Sequence, residues 1–151
     1  MHYLIKLEKK KFYIPILNGQ LNGGRTSLEK LYFNCQERTV EVKTLDSFYF
    51  DDVDLIKIDV EGHETSVISG ATQTIKKCKP ILIVEIVQKF LDYDINKVFK
   101  KILDLKYDGF FISHNNLLSI KKFEIKKHQK SDTTDLRYEK INNFIFLPKP
   151  M

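Results

Sequence analysis

The sequence predicts an α/β fold, and three observations support this prediction. An aliphatic run, a glycine turn and an amphipathic helix follow one another between residues 53 and 78. A second aliphatic run, Ile81–Ile86, comes directly afterwards, and another helical stripe precedes the β-like segment Tyr107–Ser113. Strands that alternate with helices along a chain predict a parallel sheet with helices packed on it. The length of 151 residues is that of one domain.

The central stretch places ionisable groups where a strand ends. Val53–Ile58 has the aliphatic pattern of a strand, and Gly62 falls in the turn to the following helix, where a residue without a Cβ is favoured. In open α/β sheets the carboxyl ends of the strands are the ligand-binding edge. We therefore expect a site formed by Asp59, Glu61, His63 and Glu64.

The helix after this turn is predicted from apolar spacing at Val67, Ile68, Ala71 and Ile75. Gly70 lies inside it, and we attribute this glycine to close packing on the sheet. Ile81–Ile86 is predicted to be covered on both faces, as in a parallel sheet. A second helix is expected over residues 91–103, and further strands over Leu117–Ile120 and Phe144–Leu147.

The amino-terminal part gives weaker signals. Phe12–Leu17 is β-like but contains Pro15, so we predict an edge strand at best, and residues 1–17 form an extension or edge strand. Val40 and Val42 alternate with charged residues, which predicts a half-exposed strand. Thr26 or Ser27 is positioned to cap a short helix over residues 28–33.

One alternative reading concerns Gly19–Thr26, which has the spacing of a phosphate-binding P-loop. Arg25 stands where the lysine of that motif belongs, and arginine does not replace its compact charge. Nucleotide binding is therefore kept only as a third hypothesis.

Charge and composition limit the partners. The net charge is +5, and all of the excess comes from residues 76–151, since residues 1–75 are slightly acidic; lysines are concentrated between positions 121 and 130. No nucleic-acid motif or aromatic interleaving accompanies these lysines, so we interpret them as a solvated face and expect no nucleic-acid partner. No apolar run approaches a membrane span and no secretion signal is visible, which favours a cytoplasmic protein without a membrane partner. The two cysteines do not suggest a disulfide framework.

A family resemblance rests on three segments: Ile56–Glu64, Val67–Ala71 and Lys79–Glu85. Together they strongly resemble the FkbM-type methyltransferases. This resemblance implies S-adenosylmethionine as cofactor, a Rossmann-like sheet, and methylation of an oxygen on a sugar or other small molecule. It covers residues 18–150, the carboxyl-terminal portion of the family domain. We therefore expect a partial Rossmann-like sheet that lacks the first βα units, together with their glycine-rich cofactor turn.

The resemblance also implies roles for individual residues. Catalytic roles fall to Asp59 and Glu61. Cofactor contacts fall to Asp59, Gly62, His63 and Glu64, and substrate contacts to Glu85, Asn22 and Ser27.

Other roles remain open for the same side chains. Asp59 is also suited to cap the following helix, and Glu61 and Glu64 are suited to bind its free N–H groups. A divalent-metal site on this turn is a minor alternative, and no metal is expected. Glu85 pairs either with Asp59, if their strands are neighbours, or with a lysine.

The expected partner is a small-molecule or glycan acceptor. A sheet without its first strands exposes an edge and an apolar face, which favours a homodimer or a partner chain. The rival hypothesis is therefore a non-catalytic remnant or binding subunit completed by that partner.

Overall fold

The computed structural model describes residues 8–22, 34–130 and 139–150, and it confirms an α/β architecture. The described strands form two sheets. The smaller, antiparallel sheet has the order β2-β1-β3, with β1 Glu8–Leu17, β2 Gln20–Leu21 and β3 Cys35–Val42. The larger sheet has the order β4-β5-β8-β6-β7, with β4 Leu55–Ile58, β5 Ile81–Glu85, β6 Tyr107–Ser113, β7 Asn116–Ser119 and β8 Asn143–Pro148. The helices are α1 Glu64–Gly70, α2 Thr72–Cys78, α3 Asn96–Leu103 and α4 Ile125–His128.

The prediction of an edge strand around Pro15 is wrong, because β1 is the central strand of the smaller sheet. The Pro15 carbonyl accepts a hydrogen bond from the Asn22 N–H, so the proline nitrogen faces the same side, where β2 has already ended at Leu21. The missing N–H therefore costs little at this position. β3 confirms the strand predicted around Val40 and Val42.

Gly19 belongs to a hairpin. Asn18 and Gly19 have φ angles of 50° and 77° between β1 and β2, which is the backbone that an Asn-Gly turn favours. The first glycine of the P-loop spacing thus lies between two strands, instead of between a strand and a helix. Arg25, Thr26, Ser27 and the helix expected after them lie outside the described residues.

The larger sheet is mixed. β4 and β5 are parallel, and β8 runs antiparallel between β5 and β6. The strand predicted over Tyr107–Ser113 is found with those bounds, and the Tyr107 hydroxyl donates to the Pro80 carbonyl at 2.8 Å.

The helix predicted after Gly62 is interrupted at Ala71. Thr72 Oγ1 donates to the Ile68 carbonyl, and the Asp46 carboxylate accepts from the N–H groups of Gln73 and Thr74 at 3.0 and 2.8 Å. These N–H groups begin α2, so Asp46 caps that helix from a distant position.

The expectation that Gly70 packs on the sheet is wrong. A Cβ at Gly70 would lie 3.1 Å from the Thr44 side chain, in the loop that follows β3. The glycine therefore allows α1 to approach the segment that carries Asp46.

The helices bury one face of the larger sheet. Ile68 and Ile75 from α1 and α2, and Ile102 from α3, are fully buried together with Leu82 and Phe146 from the strands. His128, the last residue of α4, stacks on Phe123 with ring centroids 5.3 Å apart.

The opposite face of the same sheet is partly exposed. Ile81 is exposed and Ile83 is only half-buried, so the prediction that β5 is covered on both faces is wrong. Leu55, Ile112 and Leu117 are exposed on the same face. The strand register therefore places an apolar surface on this side.

One further segment differs in detail from expectation, and another agrees with it. α3 begins at Asn96, five residues later than predicted, and Asp94 Oδ1 accepts from the Asn96 N–H at the helix start. The lysines of the segment 121–130 have exposed side chains, as expected for a solvated face. In the described part of the chain, no helix combines the length and the hydrophobicity needed to cross a membrane.

Candidate active site

The candidate site lies where β4 and β5 end side by side. Ile58 is paired with Val84, so the next residues, Asp59 and Glu85, are neighbours across the two parallel strands. The sequence predicted this proximity on the condition that the two strands are adjacent, and the structure meets the condition.

Lys57 links the two carboxylates. Its Nζ lies 3.2 Å from Asp59 Oδ2 and 4.0 Å from Glu85 Oε2. The exposed fractions of the Lys57, Asp59 and Glu85 side chains are 43%, 53% and 33%, so all three are reachable from solvent. We call these three residues the carboxylate cluster.

The electrostatics of the cluster centre on Glu85. Partial burial raises the pKa of the Glu85 carboxyl above its ordinary value of 4.5, and the neighbouring charge of Asp59 raises it further. Lys57 acts in the opposite direction, because its positive charge favours the ionised carboxylate. Glu85 therefore holds its proton to a higher pH than an unperturbed glutamate does.

The turn after β4 is held by Glu64. Glu61 and Gly62 have positive φ angles of 41° and 101°, and the Gly62 N–H donates to Glu64 Oε1 at 2.9 Å. The Glu64 side chain is only 1% exposed. A Cβ at Gly62 would lie 2.5 Å from the Phe90 carbonyl oxygen, so only glycine fits here.

These contacts favour the structural alternative for Glu64, whose carboxylate serves a backbone N–H of the turn. Asp59 does not cap α1. Its carboxylate contacts Lys57, and the cap position of the helix is occupied by His63. The His63 carbonyl accepts hydrogen bonds from the Ser66 and Val67 N–H groups. Glu61, which precedes Gly62 in the turn, is exposed.

The three acidic side chains and the one histidine side chain predicted at this turn do not converge. Glu64 points inwards, whereas Asp59 and Glu61 are exposed. Within residues 8–22, 34–130 and 139–150, no three His, Cys, Asp or Glu side chains are grouped as metal ligands.

The remaining predicted substrate residues are placed differently. Asn22 follows β2 in the smaller sheet, whereas Glu85 ends a strand of the larger one. Ser27 lies outside the described residues.

Sequence reasoning missed Lys57, although a signal was available. Side chains two positions apart on a strand point to the same face, so Lys57 and Asp59 were bound to be neighbours. Asp46 was also missed as a cap, since its partners Gln73 and Thr74 are 27 and 28 positions away.

The comparisons with known proteins bear directly on this site. A family model described as the methyltransferase FkbM domain matches residues 2–112, nearly three quarters of the chain. The chain belongs to the FkbM methyltransferase family. No curated protein and no solved structure matches it.

The matched part of this FkbM chain contains the carboxylate cluster and the turn around Gly62, and it ends within β6. It begins at residue 2 and so includes the segment 1–17 that we had set apart. The domain bounds 18–150 remain a prediction.

The cofactor implied by the family fits the described residues in part. Asp59, Glu61 and Glu85 offer carboxylates that suit amino and hydroxyl groups. In the described ranges, however, no turn with two glycines connects a strand to a helix, and Gly62 approaches the protein's own Phe90 carbonyl. The backbone cradle expected for such a cofactor is therefore absent from these parts of the chain.

Proposed function

We propose that this FkbM chain is a methyltransferase domain that uses S-adenosylmethionine and methylates a hydroxyl oxygen of a sugar or other small molecule. The observation that carries the proposal is the carboxylate cluster at the carboxyl ends of two parallel strands, inside the matched part of the chain. This edge is the ligand-binding edge of α/β sheets.

The cluster supplies an orienting group and a proton acceptor. In this proposal the acceptor hydroxyl donates its hydrogen bond to Glu85, and its proton would move to Glu85 Oε as the oxygen bonds to the methyl carbon. The bond between that carbon and the sulfonium sulfur of the cofactor would break at the same time, and S-adenosylhomocysteine would be the leaving group. The raised pKa of Glu85 suits it to take up a proton. Asp59 orients the acceptor, and the charge of Lys57 partly offsets the rise in the pKa of Glu85.

The cofactor, when bound, supplies an electrophilic methyl group, and Asp59 and Glu61 are the residues proposed to hold its polar groups. Methyl transfer depends mainly on in-line positioning, so the residues of the cluster contribute as orienting groups more than as reagents.

At the level of the fold, we propose that the larger sheet is the carboxyl-terminal part of a Rossmann-like sheet. Two features support this: the parallel pair β4–β5 with a helical connection, and helices packed against one face.

The first test is calorimetric titration of the chain with S-adenosylhomocysteine. We expect saturable binding, and weaker binding by Asp59→Asn, because the variant retains the shape of the side chain and loses its charge. The matched control is Glu41→Gln on β3, whose carboxylate makes only a surface contact of 3.9 Å with Lys43; its affinity should be unchanged.

A folded protein that binds no S-adenosylhomocysteine would contradict the proposal. That result favours the second candidate, a binding subunit that requires a partner chain. The exposed apolar face of the larger sheet is the observation behind this candidate.

A further inference from the structure

A groove between α1 and α3 has a volume of about 400 Å³, which lies within the range of small-molecule sites. Hydroxyl side chains of α1 form one wall and lysines of α3 form the other, and the lining includes Thr65, Ser66, Ser69, Lys97, Lys100 and Lys101. No residue of the carboxylate cluster lines this groove. The groove is therefore separate from the candidate active site.

A contact between side chains fixes the spacing of the two walls. Thr65 Oγ1 and the hydroxyl oxygen of Tyr93 lie 3.1 Å apart and share a hydrogen bond. Lys97 Nζ lies 4.6 Å from the centroid of the Tyr93 ring, so a cation–π interaction holds this ammonium group beside the groove. Both helices are also anchored in the core, through Ile68 of α1 and Ile102 of α3. The walls are therefore held in place by the protein itself.

The groove carries an excess of positive charge. Three lysines line it against one carboxylate, that of Asp104, which leaves a net charge of +2. Lys100 Nζ lies 2.6 Å from Asp104 Oδ2, so these two charges offset each other. Within the described parts of the chain, neither Lys97 nor Lys101 forms an ion pair, although Lys101 is half-buried and loses hydration there. An anion in the groove would supply the counter-charge that both lysines need.

A serine hydroxyl adds a neutral donor to these charges. Ser69 Oγ donates to the Thr65 carbonyl at 2.8 Å, so its hydrogen is already used. Ser66 is exposed at the groove, and its hydroxyl forms no hydrogen bond with any residue that the structure describes. Two ammonium groups and one hydroxyl are therefore available as donors around the same space.

This set of donors suits a phosphate group. Lysine presents a compact charge and is a common phosphate ligand, whereas the fork of arginine matches planar carboxylates best, and no arginine lines the groove. A phosphate monoester carries nearly two negative charges at neutral pH, which matches the net charge of the lining. The carboxylate cluster would repel such a ligand, because it contains two carboxylates and one lysine.

We infer that the groove between α1 and α3 binds the phosphate group of a small phosphate monoester, with the ammonium groups of Lys97 and Lys101 and the Ser66 hydroxyl donating to its oxygens. A volume of about 400 Å³ exceeds that of a phosphate group and leaves room for the small molecule that carries it. This binding does not depend on the proposed methyl transfer.

The test titrates the full chain with glucose 6-phosphate at constant ionic strength and follows the backbone amides by nitrogen-15 NMR, without any cofactor. The amide signals of Ser66, Ser69, Lys97 and Lys101 should shift saturably, and that of Val40 on β3 should stay unchanged. Inorganic phosphate should shift the same signals, because the donors contact only the phosphate oxygens.

Two further probes isolate the role of the charge. Glucose lacks the phosphate group and should shift none of these signals. Glucose 6-sulfate has nearly the same shape as glucose 6-phosphate and only one negative charge, so its affinity should be about tenfold lower.

Variants identify the contacts. Lys101→Met keeps the stem of the side chain and removes its charge, so the affinity for glucose 6-phosphate should fall about tenfold. Ser66→Ala removes one neutral donor and should lower the affinity about threefold. The matched control is Lys126→Met, which removes the same charge outside the groove and should leave the affinity unchanged. All three side chains are at least partly exposed, so the variants should fold like the wild type.

Four outcomes would overturn the inference: no saturable shift with glucose 6-phosphate, the same shifts with glucose, equal affinities for the phosphate and the sulfate, or an equal loss in Lys101→Met and Lys126→Met. Shifts confined to the lysine segment 121–130 would also overturn it, since the phosphate would then bind exposed lysines outside the groove. A chain that binds glucose 6-phosphate and no S-adenosylhomocysteine would retain this site and lose the proposed function only.

Discussion

At the scale of single residues, the site depends on a lysine placed between two carboxylates. Lys57 reaches Asp59 and Glu85 from the same strand face. Without Lys57, partial burial and the charge of Asp59 would raise the pKa of Glu85 further. Lys57 thus favours the ionised form of Glu85 beside Asp59.

The titration of Glu85 tests this balance. Its carboxyl carbon, followed by carbon-13 NMR, should titrate above the ordinary pKa of 4.5. Asp59→Asn should lower the pKa of Glu85, because the repelling charge is removed. Lys57→Met should raise it further, because the favourable cation is lost.

The control for the titration is Glu139, whose pKa is lowered by hydrogen bonds from the His114 N–H and the Ser113 side chain and should be the same in both variants. Shifts of Glu85 in the same direction in both variants would contradict the arrangement, since the two neighbours act with opposite signs.

At the scale of elements, the interruption between α1 and α2 shows what local patterns miss. The apolar spacing of Val67, Ile68, Ala71 and Ile75 correctly predicted helix over both segments. The interruption arises from Asp46, which takes over the first N–H groups of α2 from a position far along the sequence. Periodicity contains no information about such a contact.

Asp46 should therefore contribute strongly to stability. Its carboxylate accepts from the N–H groups of Gln73 and Thr74 and from the Thr74 hydroxyl at 2.9 Å. Asp46→Ala should lower the free energy of unfolding by about 2–3 kcal/mol, because three donors at a helix start, two of them on the buried Thr74, lose a carboxylate acceptor. Urea denaturation measures the difference.

Asp51→Ala provides the matched control. Asp51 is 75% exposed and lies 3.9 Å from Lys77 on the surface. Its removal should change the free energy of unfolding by less than about 0.5 kcal/mol. Equal effects of the two substitutions would show that Asp46 does not cap α2.

At the scale of the whole molecule, the sequence predicted the class of the fold better than its layers. The aliphatic run Ile81–Ile86 was interpreted as doubly covered, yet alternate residues of β5 point to the partly exposed face. The residue types of a strand do not show whether both of its faces are covered, because coverage depends on which other elements pack against each face. The central position of β1 was missed for a similar reason. Pro15 fits into a central strand only because β2 ends before it reaches the proline nitrogen, and the sequence does not show where β2 ends.

The two sheets should differ in their resistance to opening. Leu82, Val84, Phe144 and Phe146 are fully buried on β5 and β8, which have neighbouring strands on both sides. Native-state hydrogen exchange should show their amides opening only with global unfolding. The amides of β1 and β3 belong to a separate sheet with mostly exposed side chains, and they should open at a lower free energy and with weaker dependence on urea. Within the larger sheet, β7 at the edge should be less protected than β8. If the amides of β1 and β8 opened with the same free energy and the same urea dependence, the two sheets would form one cooperative unit. The smaller sheet would then have to be regarded as part of the core that supports the carboxylate cluster.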